Sequence, residues 1–146
     1  MRRVFVLLAT LLVLVVVVQF FLAASGAFNT APNDESFRSH RGLGYVIFLI
    51  PVLMAIVGAL GRLPGRLIGL TAAIAGLTMV QVLIAVLAKA FNDTGGTSTT
   101  AGQLVFGLHA VNGLIIMAVA GIVLRRARTL ATATSDRPVG ATQSAV

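Results

Sequence analysis

The chain of 146 residues is 58% hydrophobic and only 10% charged, against roughly 25% charged residues in an ordinary soluble domain, so the composition belongs to lipid rather than water. The absence of cysteine excludes disulfides, thiolate metal sites and a cysteine nucleophile. The net charge of +7 does not point to nucleic acid, because the basic residues stand at the ends of apolar segments and not on a solvated face.

Four apolar stretches, at about 4–24, 43–60, 67–88 and 104–124, each reach the roughly 18–20 residues that cross a hydrocarbon core. The first follows Arg2 and Arg3 and resembles a secretory leader. Its apolar run exceeds the roughly 7–15 residues of a leader core, so it is expected to be a retained span. The second span contains Pro51, which removes a backbone hydrogen bond and predicts a kink. It ends at Gly61-Arg62-Leu63-Pro64-Gly65-Arg66, a turn that supplies helix-stopping residues before the third span. Residues 92–102 are rich in Thr, Ser and Gly and read as a flexible loop. The fourth span is followed at 129–146 by a small, polar segment read as a disordered tail, leaving 1–128 as one transmembrane domain.

Arg2, Arg3, Arg62, Arg66, Arg125, Arg126 and Arg128 all fall on one side of an up-down-up-down path. The positive-inside rule makes that side, with both chain ends, cytoplasmic. Ten arginines against one lysine hint at a GC-rich bacterial genome, and hence at a bacterial plasma membrane. The other side carries Arg38, Arg41 and Lys89 beside Asp34, Glu35 and Asp93, with no comparable bias. The fold class expected is all-α: a four-helix up-down transmembrane bundle.

The two halves look like copies. Val18-Gln19, Ala27-Phe28-Asn29 and Phe37-x-x-His40-x-x-x-Gly44 reappear as Val80-Gln81, Ala90-Phe91-Asn92 and Phe106-x-x-His109-x-x-x-Gly113. Three matching segments in the same order predict a duplicated helical hairpin, a form of internal symmetry common in membrane bundles. The protein's two histidines occupy equivalent positions, on the second and fourth spans, which are diagonal partners in such a bundle. His40 is expected about two turns into a helix capped by Asn33 or Asp34 after Pro32, and His109 two to three turns into its own.

Two facing imidazoles in an apolar bundle suit axial ligation of one b-type haem, each nitrogen donating a lone pair to iron. Gly44 and Gly113 lie one turn from the histidines, where missing side chains leave room for the macrocycle. Arg38 and Arg41 stand at the water boundary, where they can pair with haem propionates. Iron with two histidine ligands has no open position, which favours electron transfer over catalysis, so no catalytic residue is expected. Zinc needs further donors, for which Asp34 and Glu35 are the candidates. Gln19 and Gln81 are read as interhelical hydrogen-bonding groups, and Tyr45 and Asn112 as groups that orient the histidines. The spans hold too few polar residues to line a pore.

Glu35-x-x-x-x-His40-Arg41-Gly42-Leu43-Gly44, with Gln81 and His109-x-x-x-Gly113, resembles the Glu…His-Arg-x-x-Gly signature and the later glutamine and histidine of haem A synthases. That family joins two four-helix halves, each with a histidine pair at a haem site. The resemblance covers about residues 18–128 and one half only, and the interval from Glu35 to His40 is longer than the family's. The chain is also similar to small four-helix membrane proteins of actinobacteria for which no function is assigned. The resemblance implies a haem-binding bundle, with a redox partner or membrane complex and an oligomer as further expectations. The alternative reading is a cofactor-free accessory protein acting through helix contacts.

Overall fold

The computed structural model describes residues 1–92 and 98–135. Its elements are α1 (Arg2–Ala27), α2 (Asn33–Ser36), α3 (Arg38–Leu60), α4 (Gly65–Ala90) and α5 (Thr100–Ser135). All four long helices carry apolar windows long enough to cross a membrane. At 1.5 Å per residue even the 23 residues of α3 exceed a hydrocarbon core of about 30 Å. The helices pack antiparallel in a ring: α1 meets α3, α3 meets α4, α4 meets α5, and α5 returns to α1. The diagonal pairs are therefore α1 with α4 and α3 with α5. The all-α four-helix bundle is the architecture expected from the hydropathy pattern.

Each helix turns a seam of residues spaced alternately three and four apart toward the axis, the spacing that keeps one face inward in a supercoiled bundle. On α1 the seam is Phe5, Ala9, Leu12 and Val16; on α4 it is Leu67, Thr71, Ile74 and Thr78, each 62 positions on. On α3, Ile47, Pro51, Met54 and Gly58 correspond to Ile116, Ala120, Val123 and Ala127 of α5, each 69 positions on. Equivalent positions of the two halves are thus buried together, which extends the duplicated hairpin from a few polar residues to the whole core. Thr71 and Thr78 fit within this seam because their hydroxyls donate to the carbonyls of Leu67 and Ile74, both at 2.9 Å.

Three boundaries differ from expectation. The helix carrying His40 does not start continuously at Asn33. A single turn, α2, follows Pro32 without a side-chain cap, and the chain breaks at Phe37 (φ −103°, ψ 13°) before α3 begins. The α3–α4 turn places Arg62, not Gly61, in the left-handed region (φ 50°). The Leu63 amide donates back to the Gly58 carbonyl at 2.9 Å, closing the helix end. Gly61 is needed there for space, since a Cβ would lie 2.9 Å from Met1 Cβ. Helix α5 runs on through Ser135 instead of ending in a tail after Arg128. Leu130 still packs on the core, and the Thr129 and Thr132 hydroxyls donate to the carbonyls of Arg125 and Arg128. The remainder of the expected tail, 136–146, and the middle of the expected loop, 93–97, lie outside the described residues.

Candidate functional site

Continued by one step at the end remote from the chain termini, the four apolar seams become polar. After Val16 comes Gln19, and after Thr78 comes Gln81. Before Ile47 stand Gly44 and His40, and before Ile116 stand Gly113, Asn112 and His109. Apart from Thr71 and Thr78, whose hydroxyls bond within their own helix, the bundle axis is thus apolar for most of its length and polar in one layer. Gln19 is eight residues from the end of α1 and Gln81 nine from the end of α4, roughly 12–14 Å at 1.5 Å per residue.

The histidines come from the diagonal helices α3 and α5 and face each other across this layer, with ring centroids 6.2 Å apart and planes tilted by 45°. Their Nδ1 atoms lie 3.3 Å and 3.2 Å from the backbone carbonyls of Gln19 and Gln81, respectively. A carbonyl oxygen can only accept, so Nδ1 carries the proton in both rings and Nε2 presents the lone pair. At His40 that lone pair receives the Gln19 side-chain amide at 3.3 Å, and the same amide donates to the His40 carbonyl at 3.0 Å. The Asn112 amide is buried. It donates to the Leu77 carbonyl and to Gln81 Oε1, both at 2.9 Å, tying α5 to α4. Gln19 Oε1 is buried without a hydrogen-bond partner.

The other residues singled out from the sequence are distributed as follows. A Cβ on Gly44 would lie 3.8 Å from Gln19 Nε2, and one on Gly113 would lie 3.4 Å from Gln81 Nε2 and from Phe20 Cζ. The space beside the glycines is therefore occupied by glutamine and phenylalanine side chains. Arg38 is exposed. The Arg41 guanidinium bonds the Asp34 carbonyl and lies 3.5 Å from its carboxylate, an exposed pair that stabilises little. Tyr45 is 73% exposed and turned away from the layer, so it does not orient a histidine. Asn112 reaches Gln81 rather than His109. Among the described residues no three of His, Asp and Glu converge, which leaves zinc without a donor set.

The rings beside the histidines were not foreseen as contacts. Phe37 meets His40 edge-on with centroids 6.1 Å apart, and Phe106 stacks on His109 at 5.2 Å and 11°. The signal was in the repeat, because each phenylalanine stands three residues before its histidine, on the same helical face. As a test of fit, two imidazoles on opposite faces of one iron, each about 2 Å from it, hold their centres roughly 6 Å apart. The observed separation of 6.2 Å agrees with that figure, while Nε2 of His40 is held by the Gln19 amide. The lateral space is filled by the side-chain ends of Gln19, Gln81 and Phe20, with Gln19 bonded to His40 and Gln81 to Asn112, so a macrocycle there would displace side chains but no backbone.

The fold and this layer define a small integral membrane protein: a four-span bundle with a twofold-repeated glutamine–histidine cluster. The sequence pattern described as "Family of unknown function (DUF6220)" matches residues 19–89, just under half the chain, from Gln19 to Lys89 in the last turn of α4. His40 and Gly44 lie within the match, His109 and Gly113 beyond it. No curated protein and no solved structure matches the chain.

Proposed function

We propose that this membrane protein binds one b-type haem through His40 and His109 and serves electron transfer. The observation that carries the reading is the diagonal imidazole pair 6.2 Å apart, with each Nδ1 on a glutamine carbonyl. Such a bond fixes the tautomer that offers Nε2 to a metal. The resemblance to one half of a haem A synthase points the same way. When bound, the haem supplies one-electron redox chemistry. Gln19 and Gln81 hold the rings in register, the apolar seams below keep water from the layer, and Arg38 and Arg41 stand at its mouth to meet propionates. The test is a reduced-minus-oxidised spectrum of detergent-purified protein from haem-replete cells. A haem band that disappears in a His40→Ala/His109→Ala double variant is expected. No band, or a band unaffected by the double substitution, would sink the reading.

A cofactor-free accessory protein is the second reading, favoured by the closed hydrogen bonds at Gln81–Asn112 and the filled space at the two glycines. It predicts that histidine variants keep the same membrane partners. The reading also includes orientation, with termini in the cytoplasm of a bacterium, on the strength of the seven arginines at one end. Without native cysteine, single cysteines report cleanly. Ser98→Cys should react with an impermeant maleimide on intact cells and Gly65→Cys should not; the reverse pattern inverts the orientation.

A further inference from the structure

We infer that the terminal end of the bundle carries a seat for one anionic phospholipid, in the groove between α1 and α5. A groove of about 300 Å³ runs there, lined by Arg3, Val6, Leu7 and Ala131. Val6 and Leu7 follow Arg3 by three and four residues, so one face of α1 offers a guanidinium at its end and an aliphatic floor toward the membrane. Arg128, exposed just outside the lining, stands three residues before Ala131 on α5, a spacing that puts the two on neighbouring faces of the helix. The arrangement matches a lipid, with phosphate at the arginines and acyl chain along Val6 and Leu7.

Charge supports the same occupant. Arg2, Arg3, Arg62, Arg66, Arg125, Arg126 and Arg128 are all exposed at this end, and both described acidic residues, Asp34 and Glu35, are at the other. Met1 packs on Gly61, and the Arg2 guanidinium reaches the Leu130 carbonyl at 3.5 Å, so the N-terminus, the α3–α4 turn and the end of α5 meet here. Every basic residue of the collar is arginine, whose planar fork binds phosphate through two bonds. Basic recesses between spans are where anionic headgroups bind. Next in sequence, Asp136 and Arg137 add no net charge. Nothing in this inference depends on the histidines.

The test is native mass spectrometry of the full chain after exchange into detergent containing equal phosphatidylglycerol and phosphatidylcholine. Retention of phosphatidylglycerol over phosphatidylcholine is expected. Arg3→Gln and Arg128→Gln should each weaken it about fivefold. Ala131→Trp, which fills the groove without altering charge, should abolish it. Arg66→Gln, outside the groove, should leave it nearly intact. Equal retention of the two lipids, an Arg66→Gln effect as large as that of Arg3→Gln, or indifference to Ala131→Trp overturns the seat. So does full displacement of the lipid by inorganic phosphate, which would mark a site for the anion alone.

Discussion

The two hairpins place the same residues at the same heights and then secure them differently. In the α4/α5 half, the Gln81 side chain is held by Asn112, and Phe106 lies flat on His109. In the α1/α3 half, the position equivalent to Asn112 is Leu43, and Gln19 Oε1 is left buried without a donor. Phe37 stands edge-on to His40 because it has somewhere else to go: its ring packs on Gly26, where a Cβ would come within 2.9 Å of it. In the 62-residue register of the helix seams the position corresponding to Gly26 is Ala88, which is buried and already carries the methyl group; the 63-residue offset of Ala27/Ala90 begins only beyond it. One half has a closed network and a stacked ring. The other has a vacant acceptor and a ring parked on glycine. The two halves share the spacing that points the imidazoles inward, and differences at single positions decide how tightly each is held.

The comparison can be broken most forcefully at Gly26. Its Ala variant would set the new methyl 2.9 Å from the Phe37 ring and 3.0 Å from the Ser36 carbonyl. The carbonyl is backbone at the α2–α3 joint and yields less readily than a ring. A loss of about 1–3 kcal/mol is expected, the usual range for overpacking. It would be read as a lowered midpoint in detergent thermal unfolding followed by size exclusion. The reciprocal Ala88→Gly variant should lose less, about 0.5–1 kcal/mol, since it adds only backbone entropy and removes one methyl. Equal losses would mean that the two positions are not packed differently.

A smaller effect is expected at Asn112. Asn112→Leu makes the second half resemble the first, removing the bonds to Leu77 and Gln81 and leaving Gln81 Oε1 as bare as Gln19 Oε1. Interhelical hydrogen bonds in membranes average about 0.6 kcal/mol and reach about 1.7. With two bonds lost and one acceptor stranded, the upper part of that range is expected in the same unfolding assay. A neutral result would show that lipid or water already satisfies Gln81.

Most of this architecture was legible beforehand, for identifiable reasons. Four spans follow from hydropathy, since nothing but a helix satisfies its backbone in lipid. The diagonal placement of the histidines follows from an up-down path. The repeat was visible in Gln19/Gln81 and His40/His109 because polar residues are rare in spans. Its apolar part was not, because Phe5 and Leu67, or Pro51 and Ala120, share burial but not identity. Residue type also misled at Tyr45, which is near His40 in sequence but faces outward. Gly44 and Gly113 show the general difficulty: a missing side chain advertises space but not its occupant, which here is a glutamine on the preceding span. The extension of α5 was hidden by threonines, which read as loop formers until their hydroxyls are seen to bond to the preceding turn.

The smallest expected effect sharpens the comparison most. Leu43→Asn places an amide in the first half where Asn112 stands in the second, three residues beyond the histidine. If the halves are true structural repeats, the new amide should donate to the vacant Gln19 Oε1 as Asn112 does to Gln81. The gain should be about 0.6 kcal/mol, the average for such a bond, less whatever Leu43 contributes by partial burial. A gain in Leu43→Asn combined with a loss in Asn112→Leu would show that the asymmetry lies in one side chain per half. A loss in both would instead mean that Gln19 Oε1 is already served by a group outside the chain, such as an ordered water.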